Sequence, residues 1–464
     1  MSKPIIAITF PNHWSIKNLI HSGAVAQIQT FAEIQGLVEP SRIPDLTALV
    51  AELGLAPIEW IPITVAPESK QVKRYRHMQK SLLFEKHQLS TEQIVQRSGR
   101  RRRSIGQRIG TTVIKGLAQV EDSINLLVKL SRQRFEATPS IPWIKGKTPH
   151  VFFATNPVDF REDGLVKAAM EAGVPVVSMV PSWDNLTTKG VLFTKFEKLF
   201  VWNQDMQEEV LTLYPYYRKS EVPVIGIPRF QVFGESLPEQ FQRENLLTSL
   251  GLDPNLKTIL FANTATSSFP DQPTVAKHIA EAISDGTLGD AQLLVRCHPH
   301  DKLEPYLELK KYARVCVWPE NLEESYGVRS TPPANDLLML AGMMQAADVC
   351  VNAASTIVLD AAACDTPILS VGYDGDRKLD YFNSVESYYD YNHQAPYVMS
   401  GAGKLCKSRE SLIGSIQEVF RNPANQKEER ADLAIFATDG TPVNHLVNEL
   451  SRLIPQYEQL ARGA

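Results

Sequence analysis

The chain has 464 residues, of which 43% are hydrophobic and 22% are charged, the proportions of an ordinary globular protein. Its 48 basic and 52 acidic residues give a net charge of -4, which excludes a general nucleic-acid binder because such a domain is strongly basic. A chain of this length is too long for one hydrophobic core and predicts two or three domains.

The N-terminal stretch MSKPIIAITF predicts a β-strand and not a signal peptide, because its apolar part is short and no small-residue cleavage site follows. No run of about 18 apolar residues occurs, so no membrane-spanning helix is expected. Neither a CxxC pair nor a zinc-binding spacing is present among the cysteines, which are Cys297, Cys316, Cys350, Cys364 and Cys406. We therefore expect a cytoplasmic protein with reduced thiols, whose contact with the inner membrane face is at most peripheral.

Short apolar runs alternate with helical patterns in the first half of the chain. One helical pattern covers about 15–35, and a polar helical region covers about 68–96. The predicted strands are 4–10, 56–63, 150–156, 174–180, 198–203 and 222–228. Continuous apolar strands that alternate with helices are typical of a parallel sheet covered on both faces.

A strongly basic loop, RSGRRRRSIGQRIG (97–110), interrupts this pattern, and the helical stretch QVKRYRHMQK (71–80) before it is also basic. Such charge binds anionic lipid headgroups, with about 1 kcal/mol for each basic residue near the surface, or a phosphorylated or acidic acceptor. The alternative is a solvated insertion. The residues that we assign to an anionic-surface site are Arg100, Arg101, Arg102 and Arg103.

The alternation restarts after 229–256, a polar segment with Pro and Gly that joins the two halves. The predicted strands of the second half are 257–263, 291–299, 313–319, 347–353 and 366–373. The predicted helices of this half are 273–284, 333–346 and 355–364.

These elements predict an α/β fold with two Rossmann-like doubly wound domains that face each other across a cleft. We expect the first domain at 1–228, with a basic helical insertion at about 64–145. The second domain is expected at 229–441, and the last helix, 442–461, is expected to pack back on the first domain.

Ligands of open parallel sheets bind at the carboxyl ends of the strands, and the segment PSWDNLTTKG (181–190) follows such an end. Trp183 can form a flat apolar wall, and Lys189 can meet an anion. Asp184 and Asn185 can hydrogen-bond hydroxyl groups, so we assign all four to acceptor binding. The alternative is a helix cap at Asp184 or Asn185 above a packed Trp183.

Two other strand ends of the first domain carry candidate general bases. Asp163, in NPVDFREDG, can take a proton from an acceptor hydroxyl, and so can His13, in FPNHWSIKNLIHSG. The alternative for Asp163 is an N-cap. The alternative for His13 is a place in a helix start that Asn12 or Ser15 caps.

In the second domain, the segment NAASTIVLDAA (352–362) passes from a strand into a helix. Asn352 ends the strand, and Ser355 and Thr356 begin the helix. A helix N-terminus offers free N–H groups and a partial positive charge, so it can hold a phosphate. The alternative is a plain N-cap.

Two more strand ends of this domain are candidate nucleotide contacts. His298, in RCHPHD, is held extended by Pro299 and can donate to a phosphate or base oxygen, unless it is only a surface histidine. Thr264 lies in the hydroxyl-rich FANTATSSFPDQP, which either lines a phosphate pocket or only connects two elements. Neither GxGxxG nor a P-loop occurs, which argues against nicotinamide and Walker-type ATP sites.

The two-domain plan and the pattern ADVCVNAASTIVLDAAACDTPILSV (347–371) resemble the GT-B class of nucleotide-sugar glycosyltransferases. Within that class, PSWDNLTTKG, VIGIPRF and RCHPHD look most like bacterial surface-polysaccharide enzymes related to CDP-glycerol glycerophosphotransferases. The His-Pro and Ser-Thr pairs also resemble the CMP-binding elements of bacterial sialic-acid and Kdo transferases. In those enzymes an acidic pair before a glycine supplies the base, and EDG (162–164) is similar.

The resemblance implies a transferase that moves a glycosyl or polyol-phosphate group from a nucleotide-activated donor to a glycan or lipid-linked acceptor. It implies no cofactor and no metal. Asp163 or His13 would be the base, and the basic loop would dock on an anionic membrane surface or acceptor. The second domain would bind the donor through Thr264, His298, Asn352, Ser355 and Thr356.

Three alternatives to this surface-polysaccharide transferase remain. One is a UDP-N-acetylhexosamine 2-epimerase, which shares the architecture and needs several acidic and histidine groups around one sugar. Another is a CMP-sialic acid or Kdo-type transferase. The last is a non-catalytic member that only binds a nucleotide.

Overall fold

The computed structural model describes residues 3–64, 69–98, 114, 116–120, 123–134, 148–298, 303–319, 331–434 and 441–454. The predicted anionic-surface residues Arg100, Arg101, Arg102 and Arg103 lie outside these ranges, and so does Pro299.

Six parallel strands form the sheet of the first half: β1 (Ile5–Thr9), β2 (Glu33–Val38), β3 (Glu59–Pro62), β4 (Val151–Ala154), β5 (Val176–Met179) and β6 (Lys198–Phe200). Their order across the sheet is β3-β2-β1-β4-β5-β6. The register pairs Ile6 of β1 with Ile34 on one side and with Val151 on the other. The strand order therefore reverses between β1 and β4, which creates a crevice at their carboxyl ends.

The sheet of the second half is also parallel: β7 (Lys257–Ala262), β8 (Ala291–Arg296), β9 (Val315–Trp318), β10 (Val349–Asn352), β11 (Ile368–Val371) and β12 (Gly403–Cys406). Its order, β12-β11-β10-β7-β8-β9, is that of the first sheet read from the opposite edge. The order here reverses between β7 and β10. Two doubly wound Rossmann-like units confirm the predicted fold class.

The α-helices of the described residues are α1 (His13–Ile16), α2 (Ala24–Phe31), α3 (Ile43–Glu52), α4 (Lys70–Lys86), α5 (Ser90–Arg97), α6 (Ser123–Arg134), α7 (Phe160–Glu171), α8 (Gln204–Leu213), α9 (Arg243–Ser249), α10 (Gln272–Ser284), α11 (Glu304–Leu307), α12 (Asp336–Ala346), α13 (Ile357–Ala363), α14 (Ala395–Ser400), α15 (Arg409–Arg421), α16 (Lys427–Ala434) and α17 (Pro442–Arg452). Two π-helical segments are Lys17–His21 and Asn185–Lys189. The 3₁₀ segments are Pro40–Arg42, Lys219–Glu221, Pro228–Gly234, Glu239–Phe241, Glu308–Lys311 and Val385–Asp390.

Polar side chains fix the starts of several of these helices. Ser69 accepts from the amide of the third residue of α4, and Asp159 accepts from an amide in the first turn of α7. Asn203 and Ser408 do the same for α8 and α15. Each such bond satisfies a backbone N–H that has no partner inside the helix and is worth about 1 kcal/mol.

Two predicted elements differ from the structure, and one strand was not predicted. The expected strand 222–228 makes only a single bridge, between Val201 and Val224, because proline cannot donate to a ladder and Gly226 has a φ of 76°. The expected helix at 15–35 breaks at Gly23 and gives way to β2 after Phe31. Strand β12 was not predicted, since GKLC has only two apolar residues.

The last helix, α17, packs on the first half of the chain. Val443, Leu446 and Leu450 share one buried cluster with Ile28 of α2 and with β1. A second, larger cluster runs from the first sheet through the joining segment into α12 and α13. The two halves therefore share buried apolar surface, and their strand ends are held close together.

One buried ion pair joins the halves, and a second links the joining segment to the second half. Lys17 Nζ lies 2.6 Å from Asp336 Oδ2 of α12, and both side chains are less than a tenth exposed. The Arg229 guanidinium lies 3.4 Å from Asp360 of α13, and it also stacks against Trp14 and Trp202. Charges buried in this way are held by their partners, because an unpaired buried charge is strongly unfavourable.

Candidate functional site

A cavity of about 360 Å³ lies between the carboxyl ends of the two sheets. Trp14 and Asn156, which line it, follow the first-sheet strands β1 and β4, where the strand order reverses. Thr264 and Ala353 follow β7 and β10, where the order of the second sheet reverses. Ligands of doubly wound sheets bind at such points, and small-molecule sites are about 300–1,000 Å³ in volume.

Most of the sequence-predicted site residues line this one cavity. The first half contributes the predicted acceptor residues, and the second half contributes predicted nucleotide residues. Those brought together are Trp183, Asp184, Asn185, Lys189, Thr264, His298, Ser355 and Thr356.

The segment PSWDNLTTKG is anchored by its apolar side chains. Trp183 is 5% exposed, and Leu186 is fully buried. The π-helical turn at Asn185–Lys189 then presents polar groups to the cavity, and π-helical turns often occur at functional sites. The segment is therefore both packed and part of a site, and Asp184 makes no side-chain cap.

Asp184 carries a negative charge inside the cavity wall. Its carboxylate lies 3.2 Å from Lys189 Nζ, and Thr188 Oγ1 donates to it at the same distance. Burial acts to raise the pKa of Asp184, but Lys189, His393 and a hydrogen bond from Ser182 outweigh it and lower the pKa. The side chain is therefore ionised at neutral pH.

His393 enters the same cavity from the second half and was not predicted. Its ring centroid lies 5.9 Å from that of Trp183 and 5.9 Å from that of Tyr391. Burial lowers the pKa of His393 to about 4, against the opposing effect of Asp184. The imidazole is therefore neutral at neutral pH and can accept a proton.

Buried polar atoms without a hydrogen-bond partner collect around this cavity. Trp183 Nε1 and Asn185 Oδ1 come from the first half, and His393 Nδ1 and Gln394 Oε1 from the second. All four residues line the cavity. A buried polar atom without a partner costs about 1–3 kcal/mol, so the chain keeps unused hydrogen-bonding capacity here.

The loop after β10 has a strained turn. Ala354 has a φ of 40°, a left-handed conformation that residues other than glycine rarely adopt. Its amide donates to the Tyr389 hydroxyl at 3.0 Å. Helix α13 starts at Ile357, later than expected, and Ser355 Oγ accepts only a long bond of 3.4 Å from the Ile357 amide. Backbone strain of this kind often occurs at ligand-binding sites.

Thr264 is held in place by the buried side chain of Gln272. The Thr264 amide donates to Gln272 Oε1 at 3.0 Å, and Gln272 Nε2 donates back to the Thr264 carbonyl at 2.7 Å. This pair fixes the loop between β7 and α10. His298 lies at the end of the neighbouring strand β8 and lines the cavity beside it.

Three predicted site residues do not line the cavity. Asn352 is fully buried, and its Nδ2 donates to the Leu369 carbonyl at 3.4 Å. His13 is 8% exposed and lies in α1 against Trp14, and Asn12 caps this helix. The position of His13 agrees with the alternative interpretation, a histidine in a helix start that Asn12 caps.

Asp163 lies in a second cavity, beside α4. Its carboxylate is buried and forms an ion pair with Arg76. The residue that caps α7 is Asp159, whose Oδ1 accepts from the Arg161 amide at 3.0 Å. The neighbouring Glu162 is fully buried, and burial raises its pKa well above the usual range.

Within the described ranges, no three His, Cys, Asp or Glu side chains are placed to hold a metal ion. No helix within those ranges is both long and apolar enough to cross a bilayer.

No protein-family model matches the chain, and no curated protein is similar to it in sequence. Solved structures match it over nearly its whole length. The UDP-GlcNAc 2-epimerase from Neisseria meningitidis, bound to UDP-GlcNAc, has a TM-score of 0.55 at 11% identity, over 97% of this chain and 99% of that one. The UDP-GlcNAc 2-epimerase from Methanocaldococcus jannaschii has a TM-score of 0.54 at 13% identity, over 97% and 100%.

A glycosyltransferase also matches. The glycotransferase of kitacinnamycin has a TM-score of 0.53 at 12% identity, over 98% of this chain and 100% of that one. At such identities the likeness establishes the fold alone. The chain therefore has the two-domain GT-B fold that these epimerases and this transferase share.

Proposed function

We propose that this protein is a transferase that moves a glycosyl or polyol-phosphate group from a nucleotide-activated donor to a hydroxyl of a glycan or lipid-linked acceptor. One observation carries the proposal: a single cavity lies where the strand order reverses in both sheets. In it, hydroxyl and histidine groups of the second half face Trp183, Asp184 and Lys189 of the first half. Such a cavity suits two substrates that meet between two domains.

The donor would lie against the second half. Ser355, Thr356 and Thr264 offer hydroxyl groups, and His298 offers a ring N–H. Hydrogen bonds from neutral donors to phosphate oxygens would stabilise the charge that develops on the leaving nucleotide. The Neisseria epimerase, which has the same fold, is bound to UDP-GlcNAc.

His393 is the proton acceptor that the geometry favours. In the reaction, the acceptor oxygen bonds to the transferred group while the bond to the nucleotide phosphate breaks, and the nucleotide leaves with that electron pair. The proton of the acceptor hydroxyl passes to the neutral imidazole of His393. The negative charge of the ionised Asp184 then stabilises the imidazolium. Asp163, the base expected from the sequence, is instead ion-paired with Arg76.

A UDP-N-acetylhexosamine 2-epimerase is the second candidate. The observation that favours it is that two histidines, His298 and His393, and one carboxylate, Asp184, line one cavity. Epimerisation needs such groups around a single sugar and needs no acceptor. Product analysis separates the two, because an epimerase converts its donor alone whereas a transferase releases nucleotide only as the acceptor is consumed.

The direct test is a thermal-shift screen of the full chain with CMP, CDP and UDP. We expect at least one nucleotide to raise the unfolding temperature, because a ligand that binds only the folded state stabilises it. His298→Ala and Ser355→Ala should reduce the shift. The matched controls His445→Ala and Ser451→Ala, on α17, should not. The absence of a shift with any nucleotide would contradict the proposal.

A further inference from the structure

We propose that the second cavity binds a phosphate group of the acceptor, so that the acceptor is a phosphorylated glycan or a phosphate-linked lipid. This inference rests on the proposed transferase function and narrows its acceptor class. The cavity has a volume of about 200 Å³ and lies between α4, the start of α7 and the end of PSWDNLTTKG. Its charged or titratable lining residues are Lys73, Arg76, His77, Lys80, Asp163 and Lys189.

The lining is strongly cationic, although the whole chain has a net charge of -4. Four Lys or Arg side chains face one carboxylate, that of Asp163, so cations outnumber anions in the described lining. Lys189 also pairs with Asp184 across the wall. Several cations around a small cavity match a multiply charged anion such as a phosphate better than a single carboxylate.

The deeper cations are held in fixed positions. The Arg76 guanidinium is ion-paired with Asp163, donates to the Val158 carbonyl at 2.8 Å and lies over the Phe160 ring. Lys80 donates to the Thr188 carbonyl. A planar guanidinium that is already oriented loses little conformational entropy when it binds a phosphate oxygen. Lys73 and His77, in contrast, are exposed at the mouth.

Lys189 lies between this cavity and the larger cavity at the strand ends, because it lines both. An acceptor whose phosphate lay beside Arg76 would therefore extend past Lys189 toward Asp184 and His393. With about 200 Å³ the cavity is smaller than a usual small-molecule site and suits a phosphate or pyrophosphate group with the rest of the acceptor outside. The basic residues of α4 would then have a specific role, which is to bind the phosphate of the acceptor.

The test uses inorganic pyrophosphate as the probe and titrates it into the full chain by calorimetry. Lys73→Glu, which reverses one charge of the lining, should weaken binding at least tenfold. Arg74→Glu is the matched control, because Arg74 is exposed on the same helix but does not line the cavity. The proposal is overturned if both variants weaken pyrophosphate binding equally, or if neither variant weakens it.

Two further arms identify where the anion binds and from what source. His298→Ala should leave pyrophosphate binding unchanged. A loss of pyrophosphate binding in this variant would mean that the ion occupies the larger cavity at the strand ends, and it would overturn the proposal. Sedimentation with phosphatidylglycerol vesicles tests the lipid source. If Lys73→Glu and Arg74→Glu both abolish sedimentation and soluble pyrophosphate does not bind, α4 is a membrane-docking face and not a phosphate site.

The outcome for this cavity is separable from that for the proposed function. Nucleotide binding in the thermal-shift screen should be the same for Lys73→Glu and the unmodified protein. If the protein binds pyrophosphate in a Lys73-dependent way but binds no nucleotide, the anion site is supported and the proposed transferase function is contradicted.

Discussion

The side chains of His393 and Asp184 line the same cavity, beside the aromatic rings of Trp183 and Tyr391. Trp183 and Tyr391 flank the imidazole and remove it from water, which keeps it neutral, while Asp184 keeps its charge through Lys189. Two neighbouring titratable groups whose environments hold them in different states are typical of acid–base sites.

His393→Gln tests this pairing. The change keeps a polar side chain of similar size but removes the proton acceptor, so turnover should fall about 10²–10⁴-fold. The thermal shift with nucleotide should remain, because the donor contacts are on other residues. His445→Gln, on α17, is the control and should keep full turnover. Undiminished turnover in His393→Gln would show that another group takes the proton.

The lowered pKa values of His21 and His393 predict how stability depends on pH. Burial lowers the pKa of His21 to about 4, as it does for His393. The unfolded chain takes up these protons near a pH of about 6.5, so stability is intact above that pH and is lost as the pH falls toward about 4. Each histidine should account for about 2–3 kcal/mol of the loss by a pH of about 4.5.

Urea unfolding followed by tryptophan fluorescence at several pH values measures this loss. His393→Gln should show a smaller decrease in the free energy of unfolding on acidification than the unmodified protein. The same pH dependence in both proteins would mean that His393 is not held neutral by burial.

Individual residues were predictable only where a strand end positions them. Trp183, Asp184, His298 and Ser355 follow strands whose apolar runs are evident in the sequence, so the parallel-sheet rule brings them together. The partner of Asp163 was not predictable, because Arg76 is 87 positions away and periodicity says nothing about such contacts. His393 follows a 3₁₀ segment after β11, and only the cluster of tyrosines in YYDYNHQAPY marked that stretch.

At the level of elements, the loops are shaped by a few buried side chains. Gln272, the first residue of α10, fixes Thr264 by two hydrogen bonds, and Leu186 anchors the π-helical turn. These contacts place polar groups at the cavity without a glycine-rich loop. The regular elements themselves serve mainly to bring the strand ends together.

Gln272→Met tests the role of this anchor. Methionine fills a similar volume but makes neither hydrogen bond, so the loop after β7 should lose its fixed position. We expect about tenfold weaker nucleotide binding, equal to about 1.4 kcal/mol, measured by calorimetry. Gln417→Met, on the exposed face of α15, is the control. Unchanged affinity in Gln272→Met would mean that Thr264 does not contact the nucleotide.

The element pattern was partly predictable. Long apolar runs such as β1, β7 and β8 were recognised because buried parallel strands are continuously hydrophobic. The helix expected at about 15–35 covered the first three residues of strand β2, EIQGLV, because a short apolar run fits either period. The run at 222–228 looked like a strand, yet Pro223 and Pro228 interrupt its ladder.

For the whole molecule, the relation between the two halves depends on buried charges as well as apolar contacts. Lys17–Asp336 crosses from one half to the other, and Arg229–Asp360 links the joining segment to α13. Burial lowers the pKa of both Lys17 and Arg229 against the attraction of their carboxylates. Such pairs favour one relative position of the halves, because any displacement exposes an unpaired charge.

Lys17→Met tests this interface. The change leaves Asp336 buried without its cation and should lower the free energy of unfolding by about 3–5 kcal/mol. The double variant Lys17→Met/Asp336→Leu should recover most of that loss, because it removes both charges. Lys257→Met, at the exposed pair with Asp348, should cost no more than about 1 kcal/mol. A small effect of Lys17→Met alone would contradict the account of the interface.

We propose above all that the cavity between the strand ends holds the nucleotide of an activated donor. A crystal structure of the full chain with the nucleotide that gives the largest thermal shift tests it most directly. We expect the nucleotide phosphates within hydrogen-bonding distance of Ser355 and His298, with the transferred group directed toward His393. Phosphates bound elsewhere, with no contact to the loop after β10, would contradict it.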